Sequence, residues 1–132
     1  MEKYLQIKVR VNNFDLMVYL AMNNEQIVKG LSVKNQLKEN EGMLFVYQRP
    51  AKYHFSMKDM KFPIDIIWLD SALMVVHIEH SVEPCPSDTI CPQFIPCADA
   101  LYVLETIAGF SKEHGISLGT KVDILSEIYY DR

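Results

Sequence analysis

The sequence predicts a mainly β (α+β) domain, a β-sandwich or partly closed barrel of about eight short strands trimmed by one or two short helices. Three observations predict it. Apolar residues alternate with polar ones along most segments, turn-forming Asn, Gly and Pro separate those segments, and only two short stretches carry helix start and stop signals. A chain of 132 residues, 49% of them hydrophobic, is sized for one core, so a single domain is expected over residues 1–132.

Leu5, Ile7, Val9 and Val11 alternate with Gln6, Lys8 and Arg10, the period of a half-buried strand. Asn12-Asn13 then reads as a hairpin turn, because Asn tolerates positive φ, and Phe14 to Ala21 is the returning strand. Asn23 or Asn24 caps a short helix through Lys29, with Glu25 in its first turn and Gly30 ending it. Val33 to Asn40 has too few apolar residues for a helix and is read as a loop; Met43 to Tyr47 resumes as a strand.

Arg49-Pro50 is expected to break the chain, and Tyr53, Phe55 and Met57 to share one face of a further strand whose other face carries His54, Ser56 and Lys58. Ile64 to Leu69 is apolar on both faces apart from Asp65. Asp70-Ser71 turns it into a strand over Leu73 to His80, and this pair is placed at the centre of the sheet. Residues 81–98 hold four prolines and all three cysteines, a composition that excludes helix and makes a long loop. Leu101 to Ile107 is a strand, Gly109 to His114 a helical turn ended by Gly115, and Val122 to Ile128 the last strand.

Composition narrows the partners. A formal net charge of −4 with no Lys/Arg cluster gives no electrostatic footprint for nucleic acid. The most apolar stretch, Ile64 to Ile78, is interrupted by Asp65, Asp70 and His77, so no membrane span is expected. Met1 to Arg10 lacks the continuous apolar run of a signal peptide, and a cytoplasmic location follows as the expectation.

Chemistry is expected where charge sits among apolar strand residues. An isolated carboxylate at Asp65 costs several kcal/mol unless a cation or donors satisfy it, and Lys58 and His54 on the preceding polar face are the nearest candidates. Asp65 is read either as a structural carboxylate, ion-paired or bonded to backbone, or as a site residue. Paired with Asp59, Asp70 or Glu105 it would have the residue types for acid and base work on a glycoside. His54, Ser56 and Asp65 lack the strand-turn-helix setting of a nucleophilic triad. Cys85, Cys91 and Cys97, with His77 and His80 upstream, lack the close knuckles of structural zinc, so no metal and no cofactor are expected. A Cys85–Cys91 disulfide and loop-borne thiols both stay open.

The run Glu41-Gly42-Met43-Leu44-Phe45-Val46, then Met57-Lys58-Asp59, Pro63-Ile64-Asp65-Ile66-Ile67 with Asp70, Pro84-Cys85, Cys91-Pro92 and Tyr102-Val103-Leu104-Glu105 resembles the domain-of-unknown-function family 192 (DUF192, UPF0127). Lys29-Gly30-Leu31 and His114-Gly115-Ile116 with Gly119 extend the likeness over most of the chain. The resemblance implies a compact, mostly β fold and marks Lys58, Asp65 and Glu105, but no established reaction. The family pattern usually has Trp where this chain has Ser56 and Asn where it has Asp59.

Together these readings lead us to expect a polar pocket formed by Lys58, Asp59, Asp65, Glu105 and His54 that binds a small polar ligand, a saccharide or metabolite. The alternatives are a hydrolase using Asp65 and Glu105, and an interaction module using the Cys/Pro-rich loop.

Overall fold

The structure, a computed structural model, describes residues 4–130; Met1 to Lys3, where the N-terminal stretch discussed above begins, lie outside the described residues. Its elements are β1 (Leu5–Val11), β2 (Phe14–Ala21), α1 (Asn24–Lys29), a 3-10 turn (Gly30–Val33), β3 (Glu41–Ala51), β4 (Ile64–Leu69), β5 (Val75–Val82), β6 (Ala100–Ile107), α2 (Phe110–Glu113) and β7 (Val122–Tyr130). The strands form one curled half-barrel sheet in the order β5-β4-β6-β3-β2-β1-β7.

Local chemistry explains the early elements. Asn12 and Asn13 both take positive φ (47° and 66°), as the tight β1–β2 hairpin requires. Asn23 and Gln26 form a reciprocal capping box that starts α1, and Gly30, at φ 50°, ends it. The excursion from β2 through α1 is needed because β3 runs parallel to β2, which no tight turn can achieve. All other ladders are antiparallel.

Curling brings the two sheet edges together at one end. Val75 donates to the Thr120 carbonyl at 2.9 Å, Gly119 to that of Val75 at 2.8 Å and Val122 to that of Leu73 at 2.9 Å. The concave face holds Val9, Leu16, Val18, Leu44, Ile67, Leu104 and Phe110 in one core. Alternation sends Met43, Phe45, Ile66, Trp68 and Val103 to the outer face, into a second core covered by residues 52–62 and 83–99. Two buried faces are why β4 reads as a continuous apolar run.

Three sequence expectations need correction. β3 runs through Arg49-Pro50 to Ala51, since Gln48, Arg49 and Pro50 are exposed where the β6 ladder is interrupted and a missing N–H costs nothing. The strand expected over residues 53–58 is instead an extended cover with single bridges from Phe55 to Phe94 and from Lys58 to Cys85, leaving seven strands. Finally, β4 and β5 end the strand order rather than centring it; β6 and β3 lie inward of them. Among the described residues no helix is long and apolar enough to cross a membrane.

Candidate functional site

A cavity of about 450 Å³ opens on the outer face of the sheet. β3 contributes Phe45 and Tyr47, β4 Ile64 and β6 Glu105. Ile27 to Ser32, from α1 and the 3-10 turn, form one wall, and His54, Phe55, Ser56, Lys58, Asp59 and Met60 form the opposite one. Gln93 enters from the long loop.

The cover wall is held in place by backbone bonds. Met60 donates to the Met57 carbonyl at 3.2 Å, closing a turn that puts Lys58 and Asp59 at its two central positions. Asp59 has φ 65°, a conformation that Asp and Asn enter more readily than other side chains. Cys85 donates to the same Met57 carbonyl at 3.1 Å, and Phe55 and Phe94 exchange two backbone bonds, so the long loop clips the cover to the sheet. Cys85 and Cys91 are joined in a disulfide, with Cα atoms 5.9 Å apart, while Cys97 is free. Behind the wall, Phe55 packs edge-on against Phe45 and Trp68, and the Trp68 indole N–H donates to the Tyr53 carbonyl.

Glu105 lies at the floor. It pairs with Met43 on one side and Ile66 on the other, and β3 passes close because Gly42 has no side chain: a Cβ there would sit 2.8 Å from the Glu105 carbonyl oxygen. The residue is 4% exposed, and among the described residues its carboxyl has no hydrogen-bond or ion-pair partner. Burial pushes its pKa up to about 8, so the resting group is a neutral acid at pH 7. Tyr47, stacked on Tyr53, is raised as well, first by burial and then by the nearby Glu105.

Lys58, Asp59 and His54 are exposed residues of the cavity wall. Asp65 is not part of the cavity. It pairs with Thr106 while Glu105 pairs with Ile66, so the two carboxyls project from opposite faces of the sheet. Neither Lys58 nor His54 satisfies it. Asp65, fully buried, accepts from Ser81 N at 2.8 Å and Gly109 N at 3.1 Å through Oδ1, and from Ser111 N at 2.8 Å through Oδ2. Two of those donors open α2, whose N-cap, Gly109, has no side chain to offer; Asp65 caps the helix from a neighbouring strand. The third is freed by a bulge in β5, where Ser81 takes φ 48°.

The site includes residues that the sequence did not nominate. Ile27, Lys29 and Gly30 reach it only because the parallel β2–β3 crossover lays α1 over the sheet, and the 22–40 excursion between two strands was the available signal. Among the described residues no group of three or more His, Cys, Asp or Glu side chains is placed to hold a metal ion.

Solved structures share this fold. A candidate transcription regulator from Sinorhizobium meliloti superposes with a TM-score of 0.78 at 23% identity, covering 94% of this chain and 96% of that one, a level that shows the fold alone. A protein of unknown function from Novosphingobium aromaticivorans superposes with a TM-score of 0.74 at 26% identity, covering 91% of this chain and 83% of its own. A search of curated proteins finds no match. The family model of DUF192, described as an uncharacterized ACR, matches residues 6–124, and with nearly the whole length covered the chain belongs to the DUF192 family.

Proposed function

We propose that the protein is a binding domain for a small polar ligand, a saccharide or another metabolite, held in the outer-face cavity with Glu105 at its floor and Lys58, Asp59 and His54 at its wall. The observation that carries this reading is a buried carboxyl without a partner among the described residues, lining a cavity of about 450 Å³. A carboxyl that reaches a cavity without a protein partner keeps bonding capacity that a ligand can complete. The volume falls within the roughly 300–1,000 Å³ typical of small-molecule sites.

A hydrolase built on Asp65 and Glu105 finds no support in this geometry, because three amides saturate Asp65 on the far side of the sheet. A cytoplasmic setting, the one expected from the sequence, keeps thiols reduced, so the Cys85–Cys91 bond would be open for part of the time there.

The test is a thermal-shift screen of neutral saccharides, amines and carboxylic acids on the wild-type chain and on Ser56→Trp, which fills the cavity wall. A ligand at one hundred times its Kd stabilises the folded state by about 2.7 kcal/mol. The reading expects at least one class to raise the melting temperature of the wild type and not of the variant. If no class shifts the wild type, or both proteins shift equally, the cavity is not a ligand site.

A further inference from the structure

Among the described residues, the Glu105 carboxyl has no hydrogen-bond or ion-pair partner. The basic side chains nearby are committed or peripheral. Lys29 is turned toward Glu25 at 3.3 Å, Lys61 donates to the Ser32 carbonyl, and Lys58 and His54 are exposed at the wall. The cavity lining also includes three aromatic rings and an aliphatic chain, Phe45, Tyr47, Phe55 and Ile64. A carboxylate among aromatic rings is the pairing that recognises a positively charged nitrogen, because ring faces attract a cation and disfavour an anion. An inorganic cation is a poor fit, since Glu105 has no second and third ligand beside it among the described residues.

We infer that the ligand of this cavity is an organic cation, an amine or quaternary ammonium compound, whose charged nitrogen docks on Glu105 between the rings of Phe45, Tyr47 and Phe55. The inference rests on the binding reading given above and narrows it. It has a proton consequence. Without a bound cation the carboxyl is neutral at pH 7, because burial raises its pKa to about 8, and a cation binds the ionised form. Docking therefore releases one proton from Glu105 to solvent. Below the raised pKa, affinity should climb about tenfold for each pH unit and level off above it. The other titratable groups lining the cavity are Tyr47 from β3, Lys29 from α1 and His54, Lys58 and Asp59 from the cover. Of these, His54 is of the side-chain type that changes charge near neutral pH, so it needs its own control.

The experiment is a calorimetric titration of the whole chain with tetramethylammonium, which carries no titratable proton, and with ethanolamine, tert-butanol and glucose, at several pH values between about 6 and 9. The expected result is that both cations bind more tightly than tert-butanol, with affinity rising about tenfold per pH unit to about pH 8 and flat beyond. Glu105→Gln should weaken cation binding at least about tenfold at pH 8 while melting cooperatively, and His54→Gln should keep the pH slope. Cations that bind no better than tert-butanol, or equally well to Glu105→Gln, overturn the inference. Glucose binding that weakens above pH 8 also overturns it, since the acid O–H would then be the recognising group, yet leaves the site a ligand site. Binding of none of the probes, together with a negative thermal-shift screen, overturns both readings.

Discussion

Asp65 and Glu105 stand on neighbouring strands, one ladder step apart, and both are buried, yet they lead different lives. On the concave face Asp65 is saturated by three backbone donors that it holds in place. On the outer face Glu105 borders a cavity and has no partner among the described residues. Burial alone therefore does not mark a functional carboxyl. What separates the two is whether the surrounding backbone supplies donors, and it does so where a helix start and a bulge converge.

Removing the saturated carboxyl should have the largest effect. Asp65→Ala strands three N–H groups, and with part of that loss relieved by water, destabilisation of about 3–5 kcal/mol is expected in urea titrations. An effect below about 1 kcal/mol would mean that the amides are satisfied otherwise and would erase the contrast. The outer carboxyl predicts the opposite sign. Glu105 has a folded pKa near 8 against an ordinary 4.5, so the folded state holds its proton more tightly than the unfolded one. Its stability contribution is fully present below about pH 4.5 and declines as pH rises to about 8, by about 1.4 kcal/mol per unit. Glu105→Gln lacks this slope, so it should match the wild type near pH 4.5 and exceed it by about 2–4 kcal/mol at pH 8. Parallel melting curves for the two proteins across this range would show that Glu105 has a partner after all.

The smallest effect sharpens the concave side. Ser111 gives its backbone N–H to Asp65, while its hydroxyl is buried without a hydrogen-bond partner among the described residues. Ser111→Ala should therefore be neutral or stabilising by up to about 1 kcal/mol in the same titration, because the bond that matters belongs to the main chain. A loss greater than about 1 kcal/mol would assign the hydroxyl a role that the geometry does not show.

How much of this was legible depends on range. The Asn12-Asn13 hairpin, a helix cap at Asn23, one of the two asparagines the sequence offers, and the doubly apolar Ile64 to Leu69 strand are legible, since each depends on residues close in sequence. The faces of Asp65 and Glu105 were not readable, because β4 and β6 are apolar on both sides and give no polar alternation to fix them. Lys58 was placed on a strand by alternation that is real, but the segment finds no continuous ladder and turns at Asp59. Four of the five nominated residues, Lys58, Asp59, Glu105 and His54, line one cavity all the same, and Asp65 was drawn in by its charge.

The pairing of β1 with β7 has a bearing on how the chain folds. A ribosome delivers β1 early and β7 last, so the β1–β2 hairpin must wait with one edge uncovered until the rest of the sheet has been made. Arg10, paired with Asp15 on that hairpin, places charge on the waiting strand, a feature that discourages a second chain from adding to the edge before β7 arrives.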